Sequence, residues 1–211
     1  MSYAEYGIGA TTVGIRVKDG VVLASEKRVS YGGFIVSKAG KKVFKVTDRI
    51  GIAFAGLYAD MQALARILSA EIQYYEVSTG KPARVYAAAK LLSNILYASK
   101  LIPFITEVLV GGVDETGSHL YVMDPVGSVI EDDYAALGSG AAIAIGILEA
   151  NYRKDMSIDE AKELAEKAVR IAIERDAISG DGIDILVIKR VDGRIVAIEE
   201  SKRIATSGVR Q

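Results

Sequence analysis

The chain has 211 residues, half of them hydrophobic and a quarter charged, a composition typical of a folded domain rather than a disordered chain. Its 26 basic and 27 acidic residues give a net charge of −1, which argues against an obligate nucleic-acid or anionic-membrane partner. It contains no cysteine and a single histidine, His119, so disulfides, thiolate nucleophiles and multi-histidine metal sites are excluded. We therefore expect no metal or cofactor, and hydrolytic chemistry that uses a base other than imidazole.

The chain begins with residues 1–9, which lack the basic start and the apolar stretch of a secretory signal. Farther along, no apolar run approaches the roughly 20 residues that are needed to cross a bilayer. We therefore expect a cytoplasmic protein without a membrane partner.

The first half of the chain predicts strands followed by two helices. Val13, Ile15 and Val17 alternate with other residues, as on a half-buried strand over 11–18, and Asp19-Gly20 predicts a hairpin turn into a strand over 21–25. Further strands are predicted over 34–36, 42–46 and 50–55. The apolar spacing then becomes three and four residues, which predicts amphipathic helices over 57–75 and 82–100.

The second half repeats this order. Strands are predicted over 107–110, 119–123 and 129–135, followed by a helix over 141–152. A capping box from Ser157 to Glu160 begins a fourth helix, and strands over 183–188 and 194–198 close the chain. Two strand-rich blocks and two helix pairs predict an α+β domain in which stacked sheets are flanked by helices.

Taken one at a time, the polar motifs do not indicate a function. Gly138-Ser139-Gly140 precedes a helix, but it lacks the sequence of a phosphate-binding loop and is expected to be a plain strand-to-helix turn. His119 is expected to be exposed and inert at a turn. Glu26 and Lys42 are expected to be solvated charges at strand ends. An acidic group at the end of the fourth helix is expected to be solvated as well: Glu174, Asp176, Asp181 and Asp184.

Seven segments, in order, resemble the β subunits of proteasomes, and the archaeal members are the most similar group. They are residues 10–15 (ATTVGI), 24–28 (ASEKR), 40–44 (GKKVF), 55–60 (AGLYAD), 109–114 (LVGGVD), 138–140 (GSG) and 175–180 (RDAISG). The resemblance spans residues 10–198 and implies the N-terminal nucleophile hydrolase fold, a four-layer αββα sandwich of two antiparallel sheets flanked by helices. It also implies a leader over residues 1–9 and a single domain over residues 10–211.

The resemblance implies the site residues as well. In this family the leader is removed autocatalytically between Gly9 and Ala10, and a threonine hydroxyl at the new N-terminus attacks the peptide carbonyl, with its own α-amino group as base. Residue 10 matches that nucleophile. Matches to the other family positions are Lys42 (lowers the hydroxyl pKa), Glu26 (balances the lysine), Ser139, Asp176 and Ser179 (orient the amine and a proton-relaying water) and the N–H of Gly56 (oxyanion hole).

The chain departs from the family at the nucleophile itself, because residue 10 is alanine. Thr11 is an unsuitable substitute. The family nucleophile lies four residues before the glycine that corresponds to Gly14, sixteen before the acid at Glu26 and thirty-two before the lysine at Lys42, and all three spacings lead back to residue 10. A shift of one residue on a strand would also turn the side chain to the other face.

Without a hydroxyl at residue 10, the chain is expected neither to remove its leader nor to form an acyl-enzyme, so residues 1–9 should remain attached. Two explanations remain open. One is an engineered Thr→Ala change that arrests an active subunit in its precursor form. The other is a naturally non-catalytic subunit that builds the ring beside an active paralogue. The otherwise complete set of site residues favours the first.

The resemblance further implies a pocket for the residue before the cut bond. Its positions are Val29, Gly40, Phe44, Phe54, Tyr58 and Gln62, which are mostly apolar and predict a preference for hydrophobic side chains, with ordinary core packing as the alternative. Implied partners are proteasome α subunits and other β subunits in stacked heptameric rings, unfolded polypeptide substrates, and an ATP-dependent unfoldase that acts through the α ring. A small-molecule amidohydrolase of the same superfamily is the weaker alternative.

Overall fold

The structure is a computed structural model that describes residues 9–204. The predicted leader therefore lies outside the described residues, with the exception of Gly9. The strands are β1 (Thr12–Val17), β2 (Gly20–Glu26), β3 (Val29–Tyr31), β4 (Phe34–Ser37), β5 (Val43–Lys45), β6 (Ile50–Gly56), β7 (Thr106–Asp114), β8 (Gly117–Met123), β9 (Ile130–Glu131), β10 (Tyr134–Leu137), β11 (Gly182–Val191) and β12 (Arg194–Arg203). The helices are α1 (Tyr58–Thr79), α2 (Val85–Ala98), α3 (Ala141–Asn151) and α4 (Ile158–Ile173).

Ten of these strands form two antiparallel sheets. The first has the order β10-β1-β2-β11-β12, and the second has the order β5-β6-β7-β8-β9. Strands β3 and β4 form a separate hairpin. In the first sheet β1 lies between β2 and β10, with Thr12 opposite both Ser25 and Leu137. The segment that precedes β1 is thereby held at one end of the sheet.

Three hydrophobic clusters separate four layers. Leu23, Leu109 and Leu186 belong to the cluster between the two sheets. A second cluster packs α1 and α2 on the β5–β9 sheet, and a third packs α3 and α4 on the β1-containing sheet. Each helix pair buries its apolar face on one sheet, and each sheet is buried on both faces, against helices on one side and against the other sheet on the other. The predicted αββα sandwich is confirmed.

Most predicted elements are present, but several boundaries were wrong. Helix α1 continues to Thr79 and ends at Gly80, which adopts φ +65°. The strand predicted over 129–135 is two short strands, β9 and β10, separated by Asp132 and Asp133. Strand β12 continues to Arg203, five residues past its predicted end at residue 198.

The prediction for His119 was wrong. The turn occupies residues 115–116, so His119 lies within β8 and its side chain is only 19% exposed. Its Nδ1 is 2.8 Å from a Glu131 carboxylate oxygen, and its Nε2 is 2.7 Å from the Thr116 hydroxyl. The ring also stacks on Tyr121. These contacts give His119 a structural role at the end of the β7–β8 hairpin.

Among the helices of residues 9–204, none has both the length and the apolar character that a membrane-spanning segment requires.

Candidate active site

A buried ion pair joins the two sheets near the start of β1. The Lys42 ammonium donates a hydrogen bond to a carboxylate oxygen of Glu26, and a second one to the Arg28 carbonyl at 2.6 Å. Glu26 is fully buried and Lys42 is 2% exposed. The expectation of solvated charges was therefore wrong for both. A buried charge is costly unless it is paired and hydrogen-bonded, and this pair meets both conditions.

Glu26 is held by the main chain as well as by Lys42. Its second oxygen accepts the amides of Arg28 at 2.6 Å and Gly180 at 3.0 Å. Burial raises the pKa of the Glu26 carboxyl above its ordinary value, while the ammonium and the two amides act in the opposite direction. One carboxylate oxygen therefore bonds the Lys42 ammonium and the other bonds two main-chain amides. The amides fix the carboxylate, and the carboxylate in turn fixes the lysine.

A second polar group lies in the loop that follows α4. One carboxylate oxygen of Asp176 accepts hydrogen bonds from the hydroxyls of Ser139 and Ser179, each at 2.6 Å. The other accepts the Ile178 amide at 3.3 Å. Ser139 comes from the turn between β10 and α3, so Asp176 links two loops that are distant in sequence. The structure brings these three residues together.

Residue 10 lies next to the Ser139–Asp176–Ser179 group and forms part of the apolar interior. Ala10 is fully buried and belongs to the cluster between the two sheets, with Ala53 and Ala55. Its carbonyl accepts the Gly140 amide at 3.3 Å, and the Ser139 hydroxyl oxygen, which donates to Asp176, lies 3.3 Å from the same carbonyl. The position of residue 10 is therefore set by the turn that precedes α3.

Thr11 has a different environment from Ala10. Its hydroxyl is 2.8 Å from that of Ser179, and its side chain occupies the space that a Cβ on Gly140 would need, only 1.9 Å away. The hydroxyl of the next residue, Thr12, bonds to Ser25 and to the Phe54 carbonyl. Among the described residues, neither threonine is a hydrogen-bond partner of Lys42. This agrees with the spacing argument against Thr11 as the nucleophile.

Gly56 occupies a backbone conformation that favours glycine. Its φ is +134°, and a Cβ at this position would lie 2.2 Å from the Ile105 carbonyl oxygen. The following amide, that of Leu57, donates to the same carbonyl at 2.7 Å, and the Ile105 amide donates to Asp60 at 2.7 Å. These bonds fix the junction between β6 and α1, where Gly56 is the last residue of the strand.

Comparison with known proteins agrees with this geometry. A family model described as Proteasome subunit matches residues 7–188. The chain is 64% identical over 202 residues to proteasome subunit beta 1 of Hyperthermus butylicus, covering 95% of this chain and 98% of the relative. It is 61% identical over 178 residues to proteasome subunit beta 2 of Thermofilum pendens, covering 84% and 87% respectively. The chain belongs to the archaeal proteasome β subunits. This family consists of threonine proteases, which favours the proteasome over the small-molecule amidohydrolase among the alternatives.

A cavity of about 410 Å³ opens beside the ion pair of this β subunit, with Gly9, Lys42 and Gly56 in its wall. Ser30 also lines it, and the Ser30 hydroxyl oxygen is buried without a hydrogen-bond partner among the described residues. The remaining wall is largely apolar and includes Tyr31, Val36 and Leu57. A cavity with this lining suits an apolar side chain next to a few polar groups.

The six implied pocket residues lie in three different environments. Val29 and Tyr58 line the cavity, and Gly40 lies directly behind them, because a Cβ there would be 2.3 Å from Val29. Phe44 and Phe54 pack edge to face in the cluster beneath α1 and α2, and Phe54 is fully buried. Gln62 lies on the exposed side of α1.

Three polar residues of this β subunit have site contacts that the sequence did not indicate. Arg28 donates to Asp181 at 2.8 Å and to the Ala177 carbonyl at 3.1 Å, so that it holds the loop after α4. Asp60 and Glu107 accept amides of distant loops. In the sequence, Arg28 lies in the ASEKR motif and Asp60 in the AGLYAD motif, but neither motif indicated these contacts. Glu107 lies in none of the motifs.

The acidic residues after α4 were only partly solvated. Asp181 pairs with Arg28, and Asp184 pairs with Lys27 at 2.6 Å. Both aspartates are less than a tenth exposed, so the expectation of solvation was wrong for them. Glu174, the residue at the end of α4, is exposed as predicted.

Proposed function

We propose that this chain is a β subunit of the 20S proteasome with the complete surroundings of a threonine-protease site and an inactive residue at the nucleophile position. The observation that carries the proposal is the buried Glu26–Lys42 pair near Ala10, together with the Ser139–Asp176–Ser179 group that bonds to the segment around it. A buried ion pair of this kind is costly to keep for packing alone, which supports a catalytic origin.

In the threonine form, the lysine would activate the hydroxyl at residue 10. An ammonium has three N–H donors, and Lys42 uses two of them on Glu26 and the Arg28 carbonyl. The third remains for a hydroxyl oxygen, where the positive charge lowers the hydroxyl pKa and stabilises the alkoxide. Glu26 would balance the positive charge that is buried with the lysine.

The general base would be the α-amino group that leader removal exposes. Its ordinary pKa of about 8 suits proton transfer near neutral pH. The Ser139, Asp176 and Ser179 group would orient this amine and a water molecule that relays the proton. The N–H of Gly56 would stabilise the oxyanion of the tetrahedral intermediate. The leader, residues 1–9, would be cut between Gly9 and Ala10 by the same chemistry, which leaves a single domain over residues 10–211.

With alanine at residue 10 neither reaction can begin. Loss of the nucleophile in a serine protease costs on the order of 10⁶ in turnover, so the chain would be inactive and would keep its leader. Because the surrounding residues are complete, we propose that the alanine replaces a natural threonine. The alternative, a naturally non-catalytic ring subunit, is favoured by Ala10 itself. The coding sequence at residue 10 distinguishes the two.

The proposed setting is the cytoplasmic proteasome, with α subunits and other β subunits in stacked heptameric rings. Unfolded polypeptides would be the substrates, delivered by an ATP-dependent unfoldase through the α ring. Large exposed apolar side chains support burial against other subunits: Phe34, Tyr74, Val77, Leu101 and Ile102 are all more than two-thirds exposed. Native mass spectrometry with α subunits should show stacked seven-membered rings, and a small closed oligomer would contradict the assembly.

The decisive experiment restores the hydroxyl. An Ala10→Thr chain assembled with α subunits should lose residues 1–9, as measured by intact mass, and should cleave fluorogenic peptides with a hydrophobic residue before the cut bond. An Ala10→Val chain is the matched control, since valine has the shape of threonine without the hydroxyl. If the Ala10→Thr chain keeps its leader and leaves the peptides uncut, the proposal fails.

A further inference from the structure

Glu107 forms a hydrogen bond that crosses from one sheet to the other beside residue 10. It lies near the start of β7 in the second sheet, opposite Ala55, whose side chain packs between the sheets. Residues directly opposite each other on neighbouring strands share a face, so Glu107 faces the first sheet. There its carboxylate accepts the amide of Gly138 at 3.0 Å.

Gly138 begins the turn that carries the contacts to residue 10. Its φ is +88°, and a Cβ at this position would lie 2.1 Å from the Ala10 carbonyl oxygen. The turn directly follows the last pair of the ladder, Thr12 and Leu137, so its amides need partners from outside the sheet. Glu107 supplies the partner for the first of them.

The next two residues of the same turn act on residue 10 directly. The Gly140 amide donates to the Ala10 carbonyl at 3.3 Å, and the Ser139 hydroxyl oxygen lies 3.3 Å from the same carbonyl while its one proton is donated to Asp176. A rotation of the turn at Gly138 would move all three contacts together. The carboxylate of Glu107 is therefore placed to set the position of residue 10 without touching it.

We infer that Glu107 is a positioning residue for the nucleophile position. It holds the turn at residues 138–140, and through this turn it fixes the carbonyl of residue 10 and the Ser139–Asp176 hydrogen bond. The catalytic consequence rests on the proposed function, whereas the effect on the turn does not depend on it.

The effect on the turn can be measured on the chain as it is, with alanine at residue 10. Glu107→Leu removes the acceptor, whereas Glu107→Gln keeps an acceptor oxygen without the charge. Hydrogen exchange at the Gly138 amide should be about tenfold faster or more in Glu107→Leu, since a hydrogen bond to a charged group is lost. It should change by less than about threefold in Glu107→Gln. Equal exchange in Glu107→Leu and the unmodified chain would overturn the inference.

The catalytic consequence is measured in the Ala10→Thr chain assembled with α subunits. Adding Glu107→Leu should lower kcat and the rate of leader removal by about tenfold or more with KM within about twofold, because only the reacting residue is misplaced. Adding Glu107→Gln should restore most of the activity. Glu115→Leu, which removes an exposed carboxylate of the β7–β8 turn, is the control and should have no effect.

The outcomes separate the two proposals. If Ala10→Thr alone is inactive, the proposed function fails, and the exchange rate of Gly138 still tests the role of Glu107. If Ala10→Thr is active and Glu107→Leu lowers the melting temperature without changing kcat, Glu107 is merely structural and the inference is overturned. Intact rings by native mass spectrometry establish that each variant has folded.

Discussion

The hydroxyls of Thr11 and Ser179 meet at 2.8 Å, between the residue that precedes β1 and the loop that follows α4. The same serine donates to Asp176, and the side chain of Thr11 packs against Gly140. Thr11 is therefore part of the support around residue 10. Its hydroxyl already has a partner, and that partner belongs to the Ser139–Asp176–Ser179 group rather than to the Glu26–Lys42 pair.

This contact predicts that Thr11 cannot replace the missing nucleophile. In the Ala10→Thr chain assembled with α subunits, adding Thr11→Val should reduce peptide cleavage by no more than about tenfold, the effect of one lost hydrogen bond. The unmodified chain, which has Thr11 but no hydroxyl at residue 10, should show no cleavage above background. Peptidase assays on the three assemblies check this. If removal of the Thr11 hydroxyl abolishes activity entirely, Thr11 has been misassigned.

The buried ion pair predicts an asymmetric response to mutation. Lys42→Met leaves the Glu26 carboxylate buried without its counter-charge and should lower the free energy of unfolding by about 3–5 kcal/mol. The double variant Lys42→Met with Glu26→Gln removes both charges and should recover a large part of that loss. Urea denaturation of the full chain at pH 7 measures both. Equal losses in the single and double variants would mean that the charge pairing does not matter.

The strands and helices of this chain could be predicted where the residues that face the helix–sheet interface alternate regularly with the others. Val13, Ile15 and Val17 alternate because only their face of β1 meets the helices. The end of β12 was missed because its last residues are charged and are held by partners on other elements, as in the Glu199–Lys41 and Lys202–Glu166 ion pairs. These partners are distant in sequence, so the local hydrophobic pattern could not predict where β12 ends.

The start of α2 shows the same limit. The helix was predicted from residue 82, but it begins at Val85, whose amide donates to Asp114 of β7 at 3.0 Å. The acceptor lies 29 residues away in sequence, so the helix start depends on a tertiary contact. Glu26 and Lys42 resemble surface charges for a similar reason, because their burial follows from two sheets that the sequence does not bring together by itself.

Substitution of Gly56 should lower the free energy of unfolding by more than its positive φ alone would cause. Gly56→Ala puts a methyl group 2.2 Å from the Ile105 carbonyl oxygen, so the loop must shift. Gly80 is the matched control, since its φ is also positive but a Cβ there meets nothing within 4 Å. Gly80→Ala should cost about 1 kcal/mol in unfolding free energy, and Gly56→Ala clearly more. Thermal denaturation of both variants tests the difference.

The same pair of variants separates stability from catalysis. In the Ala10→Thr assembly, Gly56→Ala should also lower kcat by about a hundredfold, the usual effect of disturbing an oxyanion-hole donor. Gly80→Ala should leave kcat unchanged. A full kcat in Gly56→Ala would remove this amide from the proposed mechanism.

The Asp114 carboxylate should stabilise the fold by an amount that depends on pH. Burial alone would raise the pKa of its carboxyl, but hydrogen bonds from the Thr116 hydroxyl and from the amides of Val85 and Thr116 outweigh burial and lower the pKa below the ordinary 3.8. Nearby titratable groups are His119, 3.5 Å away, and Glu131, which faces the same histidine. A lowered pKa stabilises the fold above about pH 4, and this contribution is lost as the pH falls through the folded-state value.

Asp114→Asn should therefore destabilise the chain by about 1 kcal/mol at pH 7, mainly through the weaker cap on α2. The difference from the unmodified chain should shrink as the pH falls below about 4, because the unfolded chain then begins to bind a proton that the native carboxylate still resists. Urea denaturation at intervals from pH 7 to pH 3 measures it. His119→Gln, measured in parallel, isolates the contribution of the neighbouring histidine, whose Nε2 lies 3.5 Å from Asp114. A difference for Asp114→Asn that stays constant down to pH 3 would show that the charge of Asp114 contributes nothing to the cap.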